Sequence, residues 1–109
     1  MITKDENNII EIQIDKEVTS NPEGFCQAYQ DKIGESDVIL ECMKLSFLDE
    51  HREALSIILN TLKADNQSIV FVATPEQFNS LPEVLIVVPT LEEAHDFIEL
   101  DRIQRDLGF

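Results

Sequence analysis

Two runs in the second half of the chain, Ile69-Val70-Phe71-Val72-Ala73 and Val84-Leu85-Ile86-Val87-Val88, are apolar at every position. A strand with no polar side needs cover on both faces, which a sheet provides when helices pack against it. Both runs therefore predict interior strands of an α/β fold. The residues that follow each run open helices. Thr74-Pro75-Glu76-Gln77 joins an N-cap hydroxyl to a first-turn Pro and a Gln that reaches back, and predicts a short helix ending near Leu81. Thr90-Leu91-Glu92-Glu93 is a capping box, and predicts a last helix with Ala94, Phe97, Ile98, Ile103 and Leu107 inward.

The first half repeats the alternation. Ile10, Ile12 and Ile14 alternate with Glu11, Gln13 and Asp15, the pattern of a strand with one wet face and an expected place at a sheet edge. Ser20-Asn21-Pro22-Glu23 starts a helix whose apolar residues Phe25, Tyr29 and Ile33 stand four apart until Gly34 stops it. Val38 to Met43 forms a second strand, and Leu55, Ile58, Leu59 and Leu62 trace a stripe through a helix over 50–63. The order βαβαβαβα predicts a four-stranded, largely parallel sheet with flanking helices. At 109 residues, one domain over 1–109 is the expected organisation.

Charge narrows the function. The chain has 22 acidic and 8 basic side chains, a formal charge of -14. A field of that sign repels nucleic acid backbones and anionic lipid, so neither is an expected partner. The longest apolar run falls well short of the roughly 20 residues of a membrane helix. The opening Met1-Ile2-Thr3-Lys4-Asp5-Glu6 is too polar for a secretory signal, so a cytoplasmic protein is expected. Cys26 and Cys42 form no Cys-x-x-Cys motif and are expected to be buried as small hydrophobes.

Catalytic signatures are weak. The chain has no Gly-rich phosphate loop and no nucleophile elbow, and only two His to serve as bases, so neither an enzyme nor a cofactor is expected. Asp49, Glu50 and His51 are adjacent and point in different directions, which argues against a metal site. His95, with Glu92, Asp96 and Glu99 nearby, is expected to be a solvated helix residue supported by i,i+4 pairing. A receiver-like domain would need an acidic pair after its first strand, where Asp15 stands alone, and a Lys after its last strand, where Pro89-Thr90 stand. Thioredoxin-like redox cycling would need a second Cys beside Cys26.

The strand-to-helix junction Leu45-Ser46-Phe47-Leu48-Asp49 is the most distinctive local feature. The strand Val38-Ile39-Leu40-Glu41-Cys42, this junction, a helix with Leu55, Ile58 and Leu59, the strand Ile69 to Ala73, a short helix, a further strand and a terminal helix together resemble the STAS domain, the family of bacterial anti-sigma factor antagonists. The resemblance spans about 70 residues, with the first 35 matching by pattern. It implies a non-catalytic regulatory domain, phosphorylated on a Ser or Thr directly after the Asp by a kinase that is also its docking partner. Here the typical Asp-Ser-Ser/Thr-Gly stretch reads Asp49-Glu50-His51-Arg52, so a carboxylate stands where the phosphoacceptor is expected and the Gly is missing.

From this follows an expected docking region of Phe47, Leu48, Asp49, Glu50, His51, Arg52 and Glu53, facing a protein partner, a kinase or another regulatory protein. Glu50 would supply a permanent charge in place of a removable phosphate, or would simply favour a helix start. Phe47 is either core under the second helix or an exposed anchor. Homodimers are expected if the wet first strand is an open edge. A small-ligand sensor of the same fold is the alternative.

Overall fold

The computed structural model describes residues 2–45, 51–62, 67–74 and 85–108. Its core is a five-stranded sheet with strands side by side in chain order: β1 (Ile2–Glu6), β2 (Ile9–Gln13), β3 (Asp37–Glu41), β4 (Ile69–Val72) and β5 (Val87–Val88). β1 runs antiparallel to β2, and the other pairings are parallel. Among the described residues four helices accompany them: α1 (Lys16–Ser20), α2 (Pro22–Ile33), α3 (Arg52–Leu62) and α4 (Leu91–Asp106). The predicted helix after Thr74 lies in residues 75–84, outside the described residues.

The sheet is thus mixed and five-stranded, not four-stranded as expected, because a hairpin precedes the first predicted strand. Asn7 and Asn8 turn it with φ of 56° and 60°. A two-residue turn with both residues left-handed matches the twist of the flanking strands, and Asn tolerates that region better than other side chains with a Cβ. β1 moves β2 into the interior, so the expected wet edge is covered. Glu11, on its supposed wet face, is 7% exposed. The edge is now β1, whose Lys4, Asp5 and Glu6 are exposed and charged, a feature that discourages strand addition.

Helix ends follow the predicted chemistry. Asn21 Oδ1 accepts from Gly24 N at 3.2 Å to open α2, and Thr90 Oγ1 accepts from Glu93 N at 3.1 Å to open α4. Each satisfies an amide that the helix leaves without a carbonyl. Gly34 ends α2 with φ of 51°, its N–H donating to Gln30 O at 3.0 Å. The unpredicted α1 is capped by Asp15, whose Oδ1 accepts from Val18 N at 3.2 Å.

Strand alternation sorts side chains onto two faces. Ile10, Ile12, Ile14, Val38, Leu40, Ile69 and Phe71 face α2 and α3, meeting Phe25, Ile33, Leu55, Ile58 and Leu59 in the larger core cluster. Ile9, Ile39, Val70 and Val72 face the other way, toward Ala94 and Ile98 of α4. Each fully buried aliphatic side chain contributes roughly 1.5–3 kcal/mol from removal of apolar surface from water. Phe25 and Tyr29 stack at 4.9 Å between centroids, tilted by 38°.

Two further expectations are corrected. The run Val84 to Val88 predicts an interior strand; Val84 lies outside the described residues, and of Leu85 to Val88 only Val87–Val88 form β5, half-buried at the far edge against β4. Ile103 and Leu107, expected inward, are exposed, because the side of α4 that carries Ala94 and Ile98 continues through Arg102 and Arg105. Both cysteines are free and buried, as expected. Burial pushes the Cys26 thiol up and, with the charge of Glu41 adding to it, pushes Cys42 up to about 12. Among the described residues, no helix is long and apolar enough to cross a membrane.

Candidate functional site

The parallel strands β2, β3 and β4 all end at one rim of the sheet, and the chain leaves β3 there to enter the predicted docking junction. Pairing of Gln13 with Glu41 and of Glu41 with Val72 aligns those ends. Gln13 Nε2 donates to Glu41 Oε2 at 3.4 Å. Just beyond, Cys42 N donates to Val72 O at 2.8 Å, and Leu45 N donates to Cys42 O at 3.1 Å, closing a turn over Met43 and Lys44. Leu45 is buried, while Met43 and Lys44 are exposed. In open parallel sheets, the carboxyl rim is where loops present functional groups.

Of the predicted docking residues, Phe47, Leu48, Asp49 and Glu50 lie outside the described residues, as does Ser46. The structure places the other three together at the amino end of α3. His51 is half-buried, and Arg52 and Glu53 are exposed in the first turn. Ala54 and Leu55 follow at once and are buried, as are Ile58, Leu59 and Leu62. The helix is thus fixed by its inner stripe, which leaves Arg52 and Glu53 at the surface. Glu53 there is favourably placed against the helix dipole.

A groove of about 400 Å³ borders α1 and α2 after the end of β2, lined by Asp15, Glu17, Val18, Asn21, Phe25 and Tyr29. Among the described residues, no group of three or more His, Cys, Asp or Glu side chains is placed to hold a metal ion.

Sequence reading missed the polar groups on the opposite face. His95 was expected to pair along its own helix. Its Nε2 instead lies 2.8 Å from Oε2 of Glu11, an inward residue of β2 whose side chain is 9% exposed. At the amino end of β3, Asp37 is buried and meets two arginines of α4. Arg102 Nε donates to Asp37 Oδ2 at 2.6 Å, and one amino group of Arg105 reaches the two carboxylate oxygens at 3.3 and 3.2 Å. Ser68 N donates to Asp37 Oδ1 at 2.7 Å, and the Ser68 hydroxyl donates to Asp101. The remaining amino groups of Arg102 donate to the carbonyls of Asn7 and Asn8 at 3.1 and 2.9 Å, tying the hairpin turn to α4.

A signal for this cluster was present. Continuing the inner stripe Ala94 and Ile98 at 3.6 residues per turn leads to Arg102 and Arg105, not to Ile103 and Leu107. An arginine on the core side of a helix needs a buried acid, and Asp37 at the start of an apolar strand is one. A groove of about 790 Å³ opens beside this cluster and includes Lys32, Ser36, Asp37, Arg102 and Arg105. Its arginines are engaged with Asp37 and the hairpin, so its lining reads as structural.

Comparison with protein-family models, with curated proteins and with solved structures returned no match to this chain.

Proposed function

We infer that the chain is a non-catalytic regulatory or scaffolding module of the STAS type, docking a protein partner through the junction at 47–53. The observation that carries this reading is the first turn of α3. A buried stripe anchors the helix, leaving Arg52 and Glu53 exposed beside half-buried His51, in the segment of chain that follows β3. The order β3, α3, β4, β5, α4 is compatible with the pattern on which the family resemblance rests, whose short helix after β4 lies outside the described residues. In this reading Glu50 holds a fixed charge at the place of a removable phosphate, so docking is constitutive and not gated by a kinase. The strongly acidic surface favours a partner with a basic face, and the module works in the cytoplasm.

The test is affinity purification from native lysate with the wild-type chain and with Glu50→Lys, Arg52→Glu and Glu53→Lys, co-purifying proteins being identified by mass spectrometry. The expected result is one partner retained by wild type and lost in the three variants, with melting temperatures nearly unchanged. A partner retained in all three variants moves the interface elsewhere and overturns the assignment of the site.

A second reading, a small-ligand sensor of the same fold, has in its favour the groove between α1 and α2, where Phe25 and Tyr29 stand with Asp15 and Glu17. An aromatic wall with carboxylates suits a small organic cation. Stabilisation of the fold by such a ligand, lost in Tyr29→Ala, would favour it.

A further inference from the structure

The last helix carries two stripes on opposite sides. The inner one is Ala94 and Ile98, buried against β3 and β4 and continued by Arg102 and Arg105, which close on Asp37. The outer one is Leu100, Ile103 and Leu107, exposed at 61%, 56% and 65%. At about 100° per residue these three fall within roughly 60° of one another, on the side facing away from Ile98. Single exposed leucines are ordinary on any surface. Three in register at i, i+3 and i+7 form a continuous apolar strip that the core does not use.

The border of this strip has one sign. Glu92, Glu93, Asp96 and Glu99 are exposed on or beside the same side of α4. The two arginines of the helix turn the other way, onto Asp37. The inner salt cluster thus removes the positive charge of α4 from its outer surface and leaves an apolar strip within an acidic frame.

We propose that the outer face of α4 docks a cationic amphipathic helix of a partner protein, seating apolar anchors along Leu100, Ile103 and Leu107 and pairing Lys or Arg with Glu93, Asp96 and Glu99. Helix-in-groove recognition uses this spacing of anchors. Charge decides the occupant. A second copy would set the acidic frame against itself in a chain of charge -14, and nucleic acid or anionic lipid would be repelled. The strip lies toward the end of the sheet where β3 begins, since Arg102 and Arg105 reach Asp37 there, whereas the junction before α3 follows the end of β3. The two surfaces are separate, and this proposal does not rest on docking at the junction.

The test is an NMR titration of the full chain with a synthetic 16-residue Leu/Lys amphipathic peptide, matched in length to α4, and with a scrambled peptide of the same composition. The proteins are wild type, Leu100→Ser/Ile103→Ser and Asp96→Lys/Glu99→Lys. Expected are amide shifts concentrated over residues 96–107 and affinity at least about tenfold weaker for the scrambled peptide and for each double variant, with melting temperatures held within a few degrees. Equal affinity for the scrambled peptide, shifts centred elsewhere, or undiminished binding by the serine variant would each overturn the proposal. So would sedimentation of wild type as a dimer that the serine variant dissolves, since a second copy would then be the occupant.

Discussion

The two faces of the sheet are held by different physics. The face under α2 and α3 is apolar and thick, with Ile10, Ile12, Ile14, Leu40, Leu55, Ile58 and Phe71 interlocking. The face under α4 has a small apolar patch centred on Ile39, Val70, Ala94 and Ile98, and is completed by polar pins: Glu11 with His95, Asp37 with Arg102 and Arg105, and Ser68 with Asp101. Apolar burial is strong and tolerant of direction. Charged hydrogen bonds add less net stability, because the ions lose water, but they accept few geometries. The thick face therefore supplies most of the stability, and the pinned face sets where α4 lies.

The largest expected effect is on the apolar face. Phe71→Ala should cost about 3–5 kcal/mol in urea denaturation, through lost transfer energy and the cavity left behind. A loss below about 1 kcal/mol would show that this face collapses readily and would erase the contrast. On the pinned face, Asp37→Ala should cost about 3 kcal/mol, because two guanidiniums and the Ser68 amide lose their acceptor. The sharper version replaces the whole set with Asp37→Leu, Arg102→Met and Arg105→Leu. If the pins specify more than they stabilise, this variant should recover most of the loss while amide-exchange protection in α4 becomes less uniform. A triple variant as unstable as Asp37→Ala would show that the ions themselves carry the stability.

Capping offers a smaller comparison across the faces. Asn21→Ala at α2 and Thr90→Ala at α4 should each cost about 1 kcal/mol, read from denaturation midpoints. A clearly larger loss for Thr90→Ala would mean that α4 is the marginal helix and that its cap helps to aim the pins. Smallest of all, Ile103→Ser should change stability by no more than about 0.5 kcal/mol, since its side chain is exposed. A larger loss would place Ile103 in the core after all.

The apolar face was legible in the sequence because its signals are periodic and local. The spacing of Leu55, Ile58, Leu59 and Leu62 gave α3, the run Ile69 to Ala73 gave β4, and Asn21-Pro22 with Gly34 bracketed α2. The pinned face was not legible, because its logic is long-range. Glu11 looks solvated until His95 arrives 84 residues later, and Asp37 looks like a strand-start acid until Arg102 closes on it. Ile103 and Leu107 drew the inward register of α4 off its axis, since hydrophobicity alone ranks them above arginine for burial. The hairpin was missed because Ile2-Thr3-Lys4-Asp5-Glu6 does not alternate and Asn7-Asn8 is a quieter turn signal than Asn-Gly. Of the docking residues, the position of α3 made His51, Arg52 and Glu53 readable as a helix start.

The tie between Arg102 and the Asn7–Asn8 turn also imposes an order in time. The strands through β4 and the helices α2 and α3 are synthesised before any residue of α4, so these elements of the apolar face precede the partners of the pinned face in the growing chain. Until His95 is made Glu11 has no partner on α4, and until Arg102 and Arg105 are made Asp37 has none and the hairpin has no anchor on that side. Translation thus leaves this flank of the sheet open longest, and a chaperone that shields the growing chain would find its exposed apolar surface there, at Ile39, Val70 and Val72.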